Sequence, residues 1–170
     1  RNIAQAWQYA ANVQGSDEEQ EKAVEAGKKK YVGFELPGRT LGVIGLGAIG
    51  VEIANAAVAL GMRVVGFDPT ITVSSAWRMS AEVEQMENVE ELLKQADFIT
   101  FHVPLIDATR DMLNVQRLAM MKNGSVILNF ARNGIVDDDA VLSAIESGKI
   151  HAYVSDFPSQ KLKGNDKVIT

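Results

Sequence analysis

A chain of 170 residues with 46% apolar side chains is sized for one domain with one buried core, and a net charge of −5 argues against nucleic acid as a partner. It has no cysteine, which excludes disulfides and thiolate metal sites and fits the cytoplasm; no metal ligand set is expected. No apolar stretch approaches the roughly 20 residues of a membrane-spanning helix, and no signal peptide is visible, so no membrane partner is expected.

The chain opens at Arg1, without a methionine, directly in helical pattern. Ile3, Ala6, Trp7, Ala10 and Val13 recur at helical spacing and predict an amphipathic helix stopping at Gly15, its apolar stripe turned to a core or to an interface. Ser16 with Glu19 is a capping box that starts a second, highly charged helix running to about Lys29. The Lys28-Lys29-Lys30 triplet reads as the solvated end of that helix, since no aromatics interleave with it.

After the Pro37-Gly38 turn, strands and helices alternate. Strands are predicted near 41–45, 63–68, 97–102, 125–129 and 151–155, with helices near 48–60, 88–95, 115–122 and 138–147, and one more short strand within 79–86. Gly61 and Gly148 stand where helices stop, and Asn114 and the Asp137–Asp139 acids stand where helices start. Val168-Ile169-Thr170 reads as an unfinished strand, so the chain is expected to be an excised piece of a longer protein. The alternation predicts an α/β fold of Rossmann type, a doubly wound parallel sheet with helices on both faces.

Within it, Gly45-Leu46-Gly47-Ala48-Ile49-Gly50 follows an apolar strand and opens a helix, and Asp68 ends the next strand. Strand, loop, helix, strand and acid together are the dinucleotide-binding pattern, which the bare glycine spacing alone is not. Gly45 permits a tight turn, Gly47 admits a pyrophosphate to the backbone, and Gly50 lets helix and sheet pack closely. The helix start at Ala48 and Ile49 offers unpaired N–H groups to phosphate. Asp68 is suited to accept from both hydroxyls of an adenosine ribose and to repel a 2′-phosphate, and Pro69 and Thr70 follow it in place of an arginine. NAD, rather than NADP, is therefore the expected cofactor. Ligands of such sheets sit outside the carboxyl ends of the strands, which makes Asp68, His102-Val103-Pro104, Asn129 to Arg132 and Asp156 candidates.

The glycine loop, Asp68, Phe101-His102-Val103-Pro104-Leu105 with Thr109, and Asn129-Phe130-Ala131-Arg132-Asn133-Gly134-Ile135-Val136-Asp137 resemble, in order and spacing, the D-isomer-specific 2-hydroxyacid dehydrogenases. The likeness covers essentially the whole chain, residues 1–170, as that family's NAD-binding domain. Within the family, Tyr31 to Leu36 and Ser155-Asp156-Phe157-Pro158 look most like the branch acting on phosphoglycerate. The resemblance implies that Arg132 binds the carboxylate of a small 2-hydroxy acid and polarises its carbonyl. It implies that Asp156 holds the nicotinamide carboxamide, that Phe130 and Ala131 line the cofactor, and that His102 lies beside its adenosine end. Val103, Pro104 and Thr109 belong to the same cofactor wall, and a homodimer is implied. His151 matches no family site and reads as structural.

Three departures stand out. Asn133 replaces the glycine that usually follows the family's arginine, and asparagine tolerates the left-handed conformation that glycine would supply. Gln160 and Lys161 stand where the family carries a glutamate that orients its catalytic histidine. That histidine, in a Pro-His-Gly-type segment, would come after Thr170, so the piece itself is expected to bind cofactor without catalysing. Two rivals stay open. One is a non-catalytic NADH-sensing regulator of the same fold. The other is a different enzyme, either a glycerate- or lactate-type relative or another Rossmann enzyme; the Asn129–Asp137 segment argues against the last.

Overall fold

The computed structural model describes residues 3–157 and 159–170. Pro158, the last residue of one phosphoglycerate-branch stretch, lies outside them. The chain divides at Glu35 and Leu36 into two compact units.

The first unit holds α1 (Ile3–Asn12), α2 (Asp17–Lys28) and a 3₁₀ turn over Lys29–Tyr31. The Glu19 carboxylate reaches back to accept from the Ser16 backbone N–H at 2.8 Å and its hydroxyl at 3.0 Å, which fixes the start of α2. Tyr9 crosses Gly27 so closely that a Cβ there would stand 2.2 Å from the ring. The Tyr9 hydroxyl donates to the Ala23 carbonyl at 2.9 Å, and its ring tilts against Tyr31 at 5.7 Å. A glycine under a tyrosine thus allows the close approach, while of the apolar stripe Ala6 and Val13 are half-buried. No described residue of α1 is buried, and Ile3 and Trp7 are 75% and 71% exposed. The lysine triplet is exposed, as its sequence suggests.

The second unit begins with β1 (Thr40–Ile44), buried at all five positions, as the centre of a sheet covered on both faces requires. Beside it lie β2 (Arg63–Phe67), β3 (Glu84–Gln85), β4 (Phe98–Phe101), β5 (Ser125–Asn129), β6 (Ile150–Ser155) and β7 (Val168–Ile169). All pair in parallel, in the order β3-β2-β1-β4-β5-β6-β7. The connections carry α3 (Ala48–Ala59), α4 (Val73–Arg78), α5 (Val89–Gln95), α6 (Val115–Met120) and α7 (Asp138–Glu146).

Because side chains alternate across a pleated strand, β1 and β2 supply two separate cores. Leu41, Val43 and Val64 pack with Val51, Ala54 and Ala57 of α3. Ile44 and Val65, with Ile99 and Ile127, pack with Leu92, Leu93, Val141 and Ile145 of α5 and α7. The doubly wound parallel sheet is therefore as expected, and most strand limits fall within one residue.

Three details differ. The strand sought within 79–86 shrinks to Glu84–Gln85. The helix expected over 115–122 ends at Met120, because Met121 is already extended at φ −65° and ψ 159°. Helix α4 went unread, since six residues carry too little periodicity; Thr72 caps it by accepting from the Ser75 N–H at 3.1 Å. Among the described residues no helix is long and apolar enough to cross a membrane.

Candidate functional site

Register sets Phe67, Ile44, Phe101, Asn129 and Ser155 side by side at the carboxyl ends of their strands. The residues after them, Asp68, Gly45, His102, Phe130 and Asp156, therefore form a row along one edge of the sheet. At about 4.8 Å per strand that row is roughly 19 Å long. Strand order reverses between β1 and β4, and such a switch point opens a crevice at the carboxyl edge.

The three glycines of the loop meet different demands. Gly45 has φ +93°, and a Cβ there would stand 2.6 Å from the His102 carbonyl oxygen. At Gly50 a Cβ would stand 1.9 Å from the Gly45 carbonyl oxygen, so loop and helix could not close. Gly47 has nothing within 4 Å of that position. The protein itself requires glycine at Gly45 and Gly50, whereas Gly47 leaves a cradle open for something else. Gly47 is the N-cap of α3, and Ala48 and Ile49 in its first turn are exposed, with their N–H groups outside the helical ladder.

Asp68 sits one residue beyond β2 and does more than the sequence indicates. Its Oδ2 accepts from the Leu46 N–H at 2.8 Å, and its Oδ1 accepts from the Thr70 N–H at 2.8 Å and the Thr70 hydroxyl at 3.1 Å. It ties the glycine loop to the turn after β2, and a carboxylate has about four acceptor directions, three of them used here, so capacity for one further donor remains on Oδ2, where the sequence suggested two ribose hydroxyls.

His102 is half-buried and hydrogen-bonded within the fold. Its ring Nε2 shares a hydrogen bond with the buried Thr100 hydroxyl at 2.9 Å, and burial pushes its pKa down. It also lines a cleft of about 700 Å³ that takes in Gly45, Gly47, Asp68, Val103, Pro104 and Thr109. The Thr109 hydroxyl donates to the Pro104 carbonyl at 2.6 Å and accepts from the Ile106 N–H at 2.9 Å. Thr109 thus shapes the cleft wall, its hydroxyl engaged within its own loop.

Sequence reading missed the residues that close this cleft. Asn88, Glu90 and Arg117 line it, the first two at the start of α5 and the third on α6. Arg117 donates from Nε and Nη2 to Glu90 Oε1 at 2.9 and 2.8 Å, and from Nη1 to the Met112 carbonyl at 2.9 Å. The guanidinium holds the Glu90 carboxyl below its ordinary range. Glu90 and Arg117 are 27 residues apart, and no local pattern joins them.

Ala48, Ile49, Gly50, Phe130, Ala131, Arg132 and Asp156 lie outside the cleft lining, though on the same edge. The loop after β5 is built by Asn129, 1% exposed. Its Oδ1 accepts from the Ala131 N–H at 3.2 Å, and its Nδ2 donates to the Arg132 carbonyl at 2.9 Å and the Tyr153 hydroxyl at 3.2 Å. Ala131 is buried, while Phe130 and Arg132 are exposed. Arg132 Nη1 donates to the Ala131 carbonyl at 2.6 Å.

The left-handed residue expected at Asn133 is instead Gly134, at φ +84°, so the turn asks nothing unusual of the asparagine. Among the described residues Asp111, at φ 45°, is the one non-glycine with positive φ, and its N–H donates to the Gly134 carbonyl at 2.8 Å. Asp156 is exposed just beyond β6. Lys161 pairs with Asp139 at 2.7 Å, and Gln160 is exposed. His151 is exposed near the opposite end of β6 from Asp156.

A sequence model of the family described as D-isomer specific 2-hydroxyacid dehydrogenase, NAD binding domain, matches residues 3–170. The chain is 43% identical over 139 residues to the D-3-phosphoglycerate dehydrogenase of Methanocaldococcus jannaschii, covering 81% of this chain and 26% of that protein. It is 41% identical over 125 residues to the hydroxypyruvate reductase of Thermotoga maritima, covering 74% of this chain and 39% of that protein. It superposes on D-lactate dehydrogenase from Aquifex aeolicus, solved with NAD and lactic acid, at a TM-score of 0.71 and 29% identity, covering 87% of this chain and 52% of that one. The chain thus spans about a quarter of the first relative and about half of the solved structure.

Proposed function

Because the chain belongs to the D-isomer specific 2-hydroxyacid dehydrogenases, as their NAD-binding domain, we propose that it is the cofactor module of an enzyme oxidising D-3-phosphoglycerate to 3-phosphohydroxypyruvate, in serine biosynthesis. The choice of substrate rests on the 43% identity to an enzyme of that name and on the Tyr31–Leu36 and Ser155–Phe157 segments. A cytoplasmic homodimer is part of the same proposal.

One observation carries the cofactor assignment: a glycine cradle whose middle residue no protein contact requires, tied to the Asp68 carboxylate in one cleft. Those residues fit NAD. Gly47 and the first N–H groups of α3 take the pyrophosphate, where backbone donors and the helix dipole favour anions. Asp68 takes the adenosine ribose, and its charge rejects a 2′-phosphate. Asp156, at the far end of the edge row, takes the carboxamide. When bound, NAD supplies the hydride acceptor at that end.

Arg132 meets the substrate carboxylate with a planar fork of N–H donors, which suits bidentate binding. The Asn129 side chain holds the backbone on both sides of the Ala131–Arg132 peptide and so sets where that fork starts. By the family resemblance the acid/base group is a histidine outside these residues, and neither His102, in the cleft beside the glycine loop, nor His151, near the amino end of β6, is assigned that role. The module alone therefore binds cofactor without turnover. Gln160 in place of the family glutamate favours a second reading, a non-catalytic NADH-responsive regulator.

Fluorescence titration with NADH and, in parallel, NADPH tests the cofactor assignment. NADH is expected to bind the tighter of the two, and failure of both to bind would overturn it. Assay of the full-length protein with phosphoglycerate, glycerate and lactate separates the enzyme from the regulator.

A further inference from the structure

We propose that Glu90, fixed by Arg117, reads the hydrogen-bonding edge of the adenine base and makes the cleft select adenine over other purines. This rests on the cofactor assignment above. With pyrophosphate at the glycine cradle and ribose at Asp68, the base occupies the remainder of the same cleft. Pro69, Val103, Pro104 and Ile106 give that remainder apolar surface suited to the faces of a flat ring. Its polar groups outside the glycine loop and the Asp68 turn include Asn88, Glu90 and Arg117.

Both guanidinium donors land on Glu90 Oε1, so Oε2 stays outside the pair. The third contact, to the Met112 carbonyl, anchors the guanidinium itself. An ionised carboxylate on an apolar wall is costly unless paired, and this pairing keeps it charged and in place. Asn88 uses its side-chain oxygen to cap the Glu91 N–H at 2.8 Å, which turns its amide function toward donating.

The cleft thus presents an acceptor at Glu90 and a donor at Asn88. Adenine carries the complement, a donating amine on carbon 6 beside an accepting ring nitrogen. Hypoxanthine inverts both, placing an accepting oxygen where the carboxylate requires a donor. A site built to bond one pattern rejects the other, because its own polar groups are left unpaired.

Titration of the protein with NADH and with reduced nicotinamide hypoxanthine dinucleotide, both read by nicotinamide fluorescence, provides the test. NADH is expected to bind about tenfold tighter, at the lower end of a charged hydrogen bond because Glu90 is partly exposed. In Glu90→Gln, whose amide both donates and accepts, the ratio is expected to fall to within about twofold of one, with the thermal melt reporting that the variant is folded. Equal affinities in the parent would overturn the inference and leave the cofactor assignment standing. A ratio unchanged by Glu90→Gln would overturn the role of Glu90. Binding of neither dinucleotide would overturn the cofactor assignment and this inference together.

Discussion

At Gly47 and Gly50 the same residue type answers to different masters, and alanine separates them. Gly47→Ala adds a methyl where nothing stands within 4 Å, so the melting temperature should stay within about 2 °C of the parent. NADH affinity should nonetheless fall at least about tenfold, because the methyl takes the place meant for a pyrophosphate. Gly50→Ala drives a methyl to 1.9 Å from a backbone oxygen, and overpacking of about 1–3 kcal/mol should lower the melting temperature by about 5 °C or more. A Gly47→Ala protein that binds NADH like the parent would refute the cradle. Asp68→Ala should weaken NADH binding roughly 10- to 100-fold, the size of charged hydrogen bonds. Asp68→Asn keeps an acceptor for the Leu46 N–H and should retain more thermal stability than Asp68→Ala. If Asp68→Ala bound NADH as tightly as the parent, the assignment to the ribose would fail. Much here was legible: Gly45, Gly47, Gly50 and Asp68 form a local pattern of fixed spacing. The Leu46–Asp68 bond was not, since it joins two loops 22 residues apart.

At the scale of elements, side-chain caps and buried loop bonds differ in what they contribute. Asn114, whose oxygen accepts from the Arg117 N–H at 3.1 Å, caps a short helix. Asn114→Ala should cost about 1 kcal/mol, the usual worth of such a cap. Asn129 is different, because removing it leaves the Ala131 N–H and the Tyr153 hydroxyl without this partner in a buried setting, and the Arg132 carbonyl without it in a part-buried one. At about 1–3 kcal/mol per stranded buried group, Asn129→Ala should cost about 3 kcal/mol or more by urea unfolding. Tyr153→Phe, which keeps both backbone bonds of Asn129, should cost about 1 kcal/mol. An Asn129 variant no less stable than the Asn114 variant would contradict this ordering. The caps at Asn114 and Asp137 were legible because they act over two or three residues. The Tyr153 contribution and the Glu90–Arg117 pair were not, because only the sheet and helix packing bring those side chains together.

For the whole molecule, pH and ligand act through linkage. Burial holds the His102 pKa below 6.5, so the unfolded chain takes up that proton more readily than the folded one. Its stability contribution is full above about pH 6.5 and is lost as pH falls through 6.5 toward the lower folded value. Glu90 and Asp97 extend the loss in stronger acid. Arg117 holds Glu90 down; at Asp97 burial pushes upward, but the Thr40 N–H and Lys122 together outweigh it. Both contributions are complete above 4.5 and 3.8 and are lost as pH falls below those values. The melting temperature should therefore drop between pH 7 and 5, and His102→Gln should flatten that drop; an identical profile in the variant would rule His102 out. NADH at about a hundred times its Kd should add about 2.7 kcal/mol of stability by mass action.

The amino-acid order by itself determined the parallel doubly wound sheet, the glycine cradle with its acid, and the caps at Asn114 and Asp137. Each arises from residues close in sequence, where periodicity, turn geometry and hydrogen bonding reach only a few positions. Tertiary structure alone decided that Asp68 locks the loop it serves, that Gly134 rather than Asn133 takes the left-handed turn, and that Glu90 and Arg117 meet in the cleft. Those facts depend on strand register and helix packing, which set distances between residues that no local spacing encodes.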